Sequence, residues 1–369
     1  MRQPLRHIAS VMLLLMLLVA CATFTSTPED TPAAATLVAT TEQPTVTPAP
    51  ELSDESKLEK GEITSQALAN NLIGDPATRE YGVYLPAGYT TSEKRYPVVY
   101  ALHGYMERPL SLGDIVPEMD TMVESGEAEE MIIVLVDGTN RFGGSWYLSS
   151  PTIGDYESYI ARELVDHIDA KYRTIPNRDS RGITGCSMGG DGSIHLALNY
   201  PDIFSVAAPI SGLYYYERDP LWDKVKDRYW QTPENLDEFD RIDGTAQWFI
   251  SRAAAAASSP DNPPFYLDMP FEETDGGVQI VQDVMDKISA ATPAQDVSQY
   301  LDQPDRLRGL MIYHGENDNL VPVELARDFN NLLTDLGIEH EYVEVPKGHC
   351  NLDYAPVLKF MSDHLVFSY

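Results

Sequence analysis

The segment Gly185-Cys186-Ser187-Met188-Gly189 carries a serine between two glycines at the spacing G-x-S-x-G. A strand-like run precedes this segment and a helix-like run follows it, so Ser187 is predicted to sit on a sharp strand-to-helix turn. Glycines are needed there because a Cβ on either flank would clash where the backbone doubles back. Ser187 is therefore a candidate nucleophile for acyl chemistry, although a serine in a plain tight turn would show the same letters.

A serine hydroxyl at its ordinary pKa is a weak nucleophile, so it needs a base that a third group holds in place. On a turn of this kind the partners follow in the order serine, acid, histidine. His349 lies in the loop that follows the predicted strand 341–345, and Asp318 lies in the loop that follows the predicted strand 310–314. Open α/β sheets place active sites at such strand ends. We therefore predict His349 as the base and Asp318 as the acid, with Glu316 as the rival acid.

A tetrahedral intermediate would also need backbone N–H groups that bind its oxyanion. Met188 follows the serine and supplies one candidate, and Tyr105, in the segment His103-Gly104-Tyr105 after an early strand, supplies the other. A plain β-to-α turn would explain the second segment equally well. His103 fits better as a residue that shapes this loop or contacts substrate than as one that titrates.

The elements that must position these residues are visible as short apolar runs that alternate with helix-period segments. Strands are predicted at 81–85, 96–103, 131–136, 182–185, 206–210, 310–314 and 341–345, and helices at 156–172, 187–199, 323–336 and 352–367. Runs such as PVVYAL and MIIVLV are almost continuously apolar, which is typical of a sheet buried on both faces. The pattern predicts an α/β fold with a mostly parallel central sheet flanked by helices.

Composition excludes several classes of function. The chain has 369 residues with 26 Lys+Arg against 57 Asp+Glu, a net charge of −31. Nucleic acid is not an expected partner, because phosphate backbones are bound through Lys and Arg. The three cysteines lack metal or redox spacing and no dinucleotide fingerprint is present, so we expect neither a metal nor a cofactor. The sequence leaves the oligomeric state open.

The N-terminus resembles a bacterial lipoprotein signal. The uncharged apolar run 8–20 has thirteen residues, fewer than the roughly 20 that span a bilayer. The motif LVAC ending at Cys21 is similar to a lipobox, which implies a signal peptide over 1–20, a lipidated Cys21 and an extracytoplasmic, membrane-anchored protein. An ordinary secretory signal is the alternative. Residues 21–57 are rich in Thr and Pro and are predicted to form a solvated tether, with the catalytic domain over 58–369.

Several motifs together resemble one family of α/β-hydrolases. They are YLPAGY, YPVVYALHG, GSWYLSSP, GCSMGGDGSIHLALNYPDIFSVAAPISG, HGENDNLVP and GHCNLDYAP. They are similar to the esterases that include feruloyl esterases, S-formylglutathione hydrolases and antigen 85 mycolyltransferases, over nearly all of residues 75–369. The resemblance implies an α/β-hydrolase fold with the triad Ser187, Asp318 and His349 and with oxyanion donors at Tyr105 and Met188.

Two cysteines depart from the usual pattern of that family. Cys186 precedes the serine and Cys350 follows the histidine, which is similar to the CS-D-HC arrangement of tannase-type fungal feruloyl esterases. That resemblance implies a disulfide between the serine turn and the histidine loop, and an extracytoplasmic location would permit its oxidation. Two buried free thiols are the alternative.

The stretch between the strands 206–210 and 310–314 is much longer than one crossover needs, so we predict a cap insertion over 213–308. Aromatic side chains crowd its start and would line a cleft or form a core: Tyr214, Tyr215, Tyr216, Trp222, Tyr229 and Trp230. Trp146 and Tyr147 follow a strand end in a Gly-rich loop. With His103 and Tyr214 they are the candidate substrate contacts.

The leading hypothesis is a lipid-anchored serine carboxylic ester hydrolase that acts on small-molecule or polysaccharide-linked esters, such as feruloyl or acetyl esters of plant polysaccharide. Acyl transfer to an alcohol, as in antigen 85, would use the same residues. A surface binding protein on a non-catalytic hydrolase fold is the alternative from another class.

Overall fold

Eight strands pair into one sheet in the computed structural model, which describes residues 55–226 and 233–368. The strands in chain order are β1 Lys57–Thr64, β2 Thr78–Leu85, β3 Val98–Leu102, β4 Ile132–Val136, β5 Ser149–Ser150, β6 Gly154–Asp155, β7 Arg181–Cys186, β8 Val206–Ile210, β9 Phe271–Thr274, β10 Gly277–Ile280, β11 Gly309–Gly315 and β12 Glu341–Val345. The central sheet has the order β1-β2-β4-β3-β7-β8-β11-β12. β1 and β2 pair antiparallel, as do β2 and β4, and the pairs from β4 to β12 are parallel.

Helices cover both faces of this sheet. They are α1 Ile115–Ser125, α2 Tyr156–Ser158, α3 Val165–Lys171, α4 Met188–Asn199, α5 Leu221–Lys226, α6 Leu236–Phe239, α7 Gly244–Ala256, α8 Gln282–Ala290, α9 Pro293–Tyr300, α10 Val323–Asp335 and α11 Ala355–His364. The helix predicted at 156–172 is continuous but contains a π-helical segment, Tyr159–Leu164, between α2 and α3. In the described ranges, no helix is both long and apolar enough to cross a membrane.

The burial of β3 shows why its sequence is apolar throughout. Val98, Tyr100 and Leu102 pack into the core on one face of the sheet. Val99 and Ala101 pack into the core on the other face. Successive strand residues point to opposite faces, so a strand covered on both sides must be apolar at every position. The prediction of an α/β fold with a mostly parallel sheet flanked by helices is confirmed.

All seven predicted strands are present in the central sheet, whose eighth strand, β1, was not predicted, and neither were the short strands β5, β6, β9 and β10 outside it. The sequence of β1, KLEKGEIT, alternates charged or polar residues with few apolar ones, and its side chains are mostly exposed or half-buried. As an edge strand it pairs only with β2, so backbone hydrogen bonds rather than side-chain burial keep it in the sheet. Hydrophobic periodicity carries no signal for such a strand.

The segment predicted as the cap, 213–308, contains α5 to α9 and the hairpin of β9 and β10 between β8 and β11. Two of its aromatic residues, Tyr229 and Trp230, lie outside the described residues. The predicted signal peptide, the lipidation site Cys21 and the tether up to residue 54 also lie outside them.

Candidate active site

The turn that carries Ser187 has a geometry that requires glycine on both sides of the serine. Ser187 lies between β7 and α4 with φ 58° and ψ −122°, a conformation that L-residues rarely adopt. A Cβ added to Gly185 would lie 2.5 Å from the Leu102 carbonyl oxygen, and one added to Gly189 would overlap that same oxygen. Both glycines are therefore needed because the turn packs directly against the end of β3.

His349 and Asp318 are brought together by the loops after β12 and β11. His349 Nδ1 lies 2.7 Å from Asp318 Oδ2, while the rival acid Glu316 is exposed. Asp318 Oδ1 accepts hydrogen bonds from the N–H groups of Leu320 and Val321. Burial raises the pKa of Asp318, but the hydrogen bond from His349 and the two backbone N–H groups outweigh it and hold the pKa below its ordinary value. Asp318 is thus an ionised partner for the histidine.

A disulfide joins the serine turn to the histidine loop. Cys186 and Cys350 are bonded, with their Cα atoms 5.9 Å apart, so the predicted disulfide is confirmed. Because Ser187 follows one cysteine and His349 precedes the other, the bond holds the two residues on adjoining segments.

The side chains of the two residues that carry the candidate oxyanion donors both lie against Gly144. A Cβ added to Gly144 would lie 3.1 Å from the Tyr105 ring and would overlap the Met188 sulfur. In the described part of the chain, neither the Tyr105 N–H nor the Met188 N–H donates to a backbone acceptor. Met188 is also the first residue of α4, so its N–H lies at the positive end of a helix dipole. Two unengaged donors at this place can bind an oxyanion.

His103 stabilises the loop that carries Tyr105. It is fully buried; its Nε2 accepts a hydrogen bond from the Gly138 N–H, so its Nδ1 carries the proton that the Gly104 carbonyl accepts. The Tyr147 hydroxyl donates to the His103 carbonyl. Both ring nitrogens of His103 are therefore engaged in hydrogen bonds that hold the imidazole in place.

The other predicted substrate contacts are also packed inside the protein. Trp146, Tyr147 and Tyr214 each have 0% of their surface exposed. Tyr214 stacks on Phe329 at 4.3 Å between ring centroids. These rings form core packing and present no open surface to a ligand, since Trp146 packs against Trp248 of α7 and Tyr214 packs against Phe329 of α10.

Sequence reasoning missed three buried groups near the site. Arg252 of α7 is 1% exposed and pairs with Asp219 at 2.7 Å. Asp191, in the first turn of α4, is buried, and burial raises its pKa to about 8. His314 Nε2 donates to the Val321 carbonyl and lies 3.5 Å from Asp318 Oδ2. The one available signal was a single arginine in the otherwise uncharged run WFISRAAAA.

Among the described residues, no group of three or more His, Cys, Asp or Glu side chains is arranged to hold a metal ion.

Comparisons with known proteins show similarity to esterases. Residues 76–251 match the family model described as "Putative esterase". An endo-1,4-beta-xylanase/feruloyl esterase of Xylanibacter ruminicola is 32% identical over 139 residues, which cover 35% of this chain and 19% of that protein. An esterase of Mycobacterium tuberculosis is 32% identical over 142 residues, which cover 37% of this chain and 30% of that protein. The chain thus spans less than a third of the length of these curated relatives.

Solved structures share the fold. A ferulic acid esterase is 23% identical with a TM-score of 0.59, covering 85% of this chain and 100% of its own. An S-formylglutathione hydrolase from Staphylococcus aureus is 16% identical with a TM-score of 0.55, covering 83% of this chain and 96% of its own. The chain thus matches the esterase family model over residues 76–251, just under half of its length, and it shares the α/β fold of these structures.

Proposed function

We propose that the protein is a carboxylic ester hydrolase with Ser187 as nucleophile, His349 as base and Asp318 as the residue that orients the base. One observation supports the proposal. Ser187 lies on a strained turn, and a disulfide joins that turn to the loop of His349, whose Nδ1 is hydrogen-bonded to a buried carboxylate. An ionised carboxylate only accepts hydrogen bonds, so Nδ1 carries the proton and the Nε2 of a neutral His349 is free to take one.

Acylation follows from these positions. The Ser187 Oγ attacks the ester carbonyl carbon while His349 Nε2 accepts the hydroxyl proton, and Asp318 stabilises the imidazolium that forms. The carbonyl oxygen gains negative charge, which the N–H groups of Tyr105 and Met188 bind. The intermediate then collapses: the bond to the alcohol oxygen breaks, His349 returns the proton to that oxygen, and the acyl group stays on Ser187.

Deacylation repeats the steps with water. His349 accepts a proton from the water as its oxygen attacks the acyl carbon, and the same two N–H groups hold the second oxyanion. The carboxylic acid then leaves and Ser187 regains its proton. Buried Asp318 remains ionised throughout because its pKa is held low.

We propose esters of aromatic acids such as ferulate, or acetyl esters, linked to plant polysaccharide as the substrate class. Support comes from a relative that carries the words xylanase and feruloyl esterase in its name. The acidic net charge of −31 favours substrates without strong negative charge, since anionic groups would be repelled.

A panel of esters tests the function: p-nitrophenyl acetate and butyrate, methyl ferulate and acetylated xylan, each with wild type and with Ser187→Ala. We expect turnover by the wild type and loss of nearly all of it in Ser187→Ala. Equal turnover by the two proteins would refute the proposal. Adding an alcohol acceptor and separating the products distinguishes hydrolysis from acyl transfer, because transfer gives a new ester in place of free acid.

We further propose that a lipid on Cys21 anchors the protein outside the cytoplasm. The support is the short apolar run followed by LVAC. In a bacterial host, the full chain should incorporate labelled palmitate and partition with membranes, and Cys21→Ser should do neither. Equal labelling of both proteins would contradict the anchor.

A further inference from the structure

A buried arginine in the cap is enclosed by aromatic rings. The Arg252 guanidinium carbon lies 4.2 Å from the ring centroid of Trp146, 4.4 Å from that of Tyr216 and 4.8 Å from that of Trp248. Its Nη1 donates to Asp219 Oδ2 at 2.7 Å. Within the ranges that the structure describes, its Nε and Nη2 have no hydrogen-bond partner. The cation is therefore held by one carboxylate and by three ring faces, whose negative potential attracts it.

Two of these rings also hold Tyr105. The Trp146 ring stacks on the Tyr105 ring with centroids 5.7 Å apart and planes 20° apart. The Trp248 ring meets Tyr105 edge-on at 5.1 Å and meets Trp146 edge-on at 4.6 Å. Arg252 thus contacts both rings that fix the side chain of Tyr105, the residue whose N–H is the proposed oxyanion donor.

The backbone on both sides of this stack is in a costly conformation. Met106, next to Tyr105, has φ 63°, and Trp146 and Tyr147 have φ 56° and 59°. Non-glycine residues keep such angles only where surrounding contacts impose them. One such contact comes from the cap, where the Ser251 hydroxyl of α7 accepts a hydrogen bond from Trp146 Nε1 at 2.9 Å. The conformation of the loop that carries Trp146, and with it the stack of Trp146 on Tyr105, therefore depends on α7.

We infer that Arg252 is a positioning residue for catalysis: through the rings of Trp146 and Trp248 it holds Tyr105, and with it the backbone N–H that binds the oxyanion. This inference rests on the proposed function, because the role of Tyr105 belongs to that proposal. On this inference, α7 helps to form the oxyanion hole without contacting the substrate. Arg252 itself touches no reacting atom.

A positioning role makes a kinetic prediction that a purely structural role does not. The Tyr105 N–H interacts most strongly with the charged oxygen of the transition state, so its displacement lowers kcat and leaves KM nearly unchanged. Displacements of about 1 Å in such groups reduce rates by up to about 100-fold. Binding of a trifluoromethyl ketone, which forms an oxyanion adduct on Ser187, should weaken by the same factor as kcat/KM. Binding of an unreactive amide analogue of the substrate should not change.

The main test uses the double variant Arg252→Met/Asp219→Asn, because Arg252→Met alone would leave a buried carboxylate without its cation. Arg252→Lys keeps the charge but lacks the planar group that stacks on rings, so its kcat should fall between wild type and the double variant. Ile288→Ala is the control, since Ile288 is a fully buried residue of cap helix α8 that makes none of the ring contacts above.

For the double variant we expect kcat on p-nitrophenyl acetate to fall about 10- to 100-fold, with the inhibition constant of the trifluoromethyl ketone rising in parallel. Ile288→Ala should lower the melting temperature and leave kcat unchanged. The inference would be overturned if kcat of the double variant stayed within about two-fold of wild type, or if Ile288→Ala lost as much kcat as the double variant. In both cases turnover by the wild type would still support the proposed function. Absence of turnover in the wild type would overturn both.

Discussion

Removing the disulfide between the serine turn and the histidine loop should lower both stability and activity. In the double variant Cys186→Ala/Cys350→Ala, the unfolded chain is no longer closed into a loop with a sequence separation of 164 residues. The chain-entropy relation then gives a loss of at most about 5 kcal/mol in the free energy of unfolding at 25 °C. This is an upper value, because a compact unfolded chain gains less entropy from the release than a random coil does.

Activity should fall for a different reason. The hydrogen bond between His349 and Asp318 does not involve the cysteines and should persist. The distance from Ser187 to His349, however, depends on two loops that the disulfide joins. Without the disulfide, the fraction of molecules in which His349 lies within hydrogen-bonding distance of Ser187 should fall. We expect kcat to fall roughly 10- to 100-fold, as for other small misplacements of reacting groups.

Urea unfolding followed by circular dichroism measures the first effect, and hydrolysis of p-nitrophenyl acetate well below the unfolding midpoint measures the second. Dithiothreitol supplies a matched control: it should weaken the wild type and leave the double variant unchanged. A loss of less than about 1 kcal/mol together with an unchanged kcat would refute the reasoning, because it would mean that packing alone keeps the two loops together.

Three further predictions concern single residues. Asp318→Asn should lower kcat by a factor on the order of 10⁴ with little change in KM, because the histidine loses the carboxylate that orients it. Steady-state kinetics on the folded variant measure this, and a kcat within about tenfold of the wild-type value would contradict the prediction. Burial raises the pKa of Asp191 to about 8, so the stability that its protonated form contributes is complete below about pH 4 and is lost as pH rises towards 8. The free energy of unfolding of wild type should therefore fall relative to that of Asp191→Asn by about 1.4 kcal/mol per pH unit across that window, and parallel pH profiles of the two proteins would exclude the buried acid. Gly189→Ala should destabilise the protein and abolish turnover because its Cβ overlaps the Leu102 carbonyl, whereas Gly244→Ala, where the Cβ meets nothing within 4 Å, should leave turnover unchanged; a fully active Gly189→Ala would contradict the packing of the serine turn.

Much of the fold could be predicted because its central strands are buried on both faces. β3, β4 and β8 are continuous apolar runs and were found within two residues of their ends, whereas β1 escaped because its stability comes from backbone pairing at an edge. The cysteine pair was found only through a family resemblance, since no pattern in the residues themselves says which two thiols meet.

The burial of the aromatic residues around the site could not be predicted in the same way. Trp146 and Tyr147 follow a strand end in a Gly-rich loop, a place where side chains often face a ligand. They are instead fully buried, and Trp146 packs against Arg252, which is more than 100 residues away in sequence. Contacts over such distances are set by how α7 packs against the loop that carries Trp146, and local sequence patterns do not predict them.

The sequence by itself determined the α/β alternation and the residue types of the serine turn. It also predicted the chain order of the proposed nucleophile, acid and base, because the serine turn and the two strands before the acid and the base depend on local backbone geometry and on periodic burial. The tertiary structure decided the pairing of His349 with Asp318 rather than Glu316, and the enclosure of Arg252 by rings that also contact Tyr105. Those choices depend on which loops meet at the carboxyl edge of the sheet. The packing of helices and strands against each other determines which loops come together, and this packing is the sum of many weak contacts between residues distant in the chain.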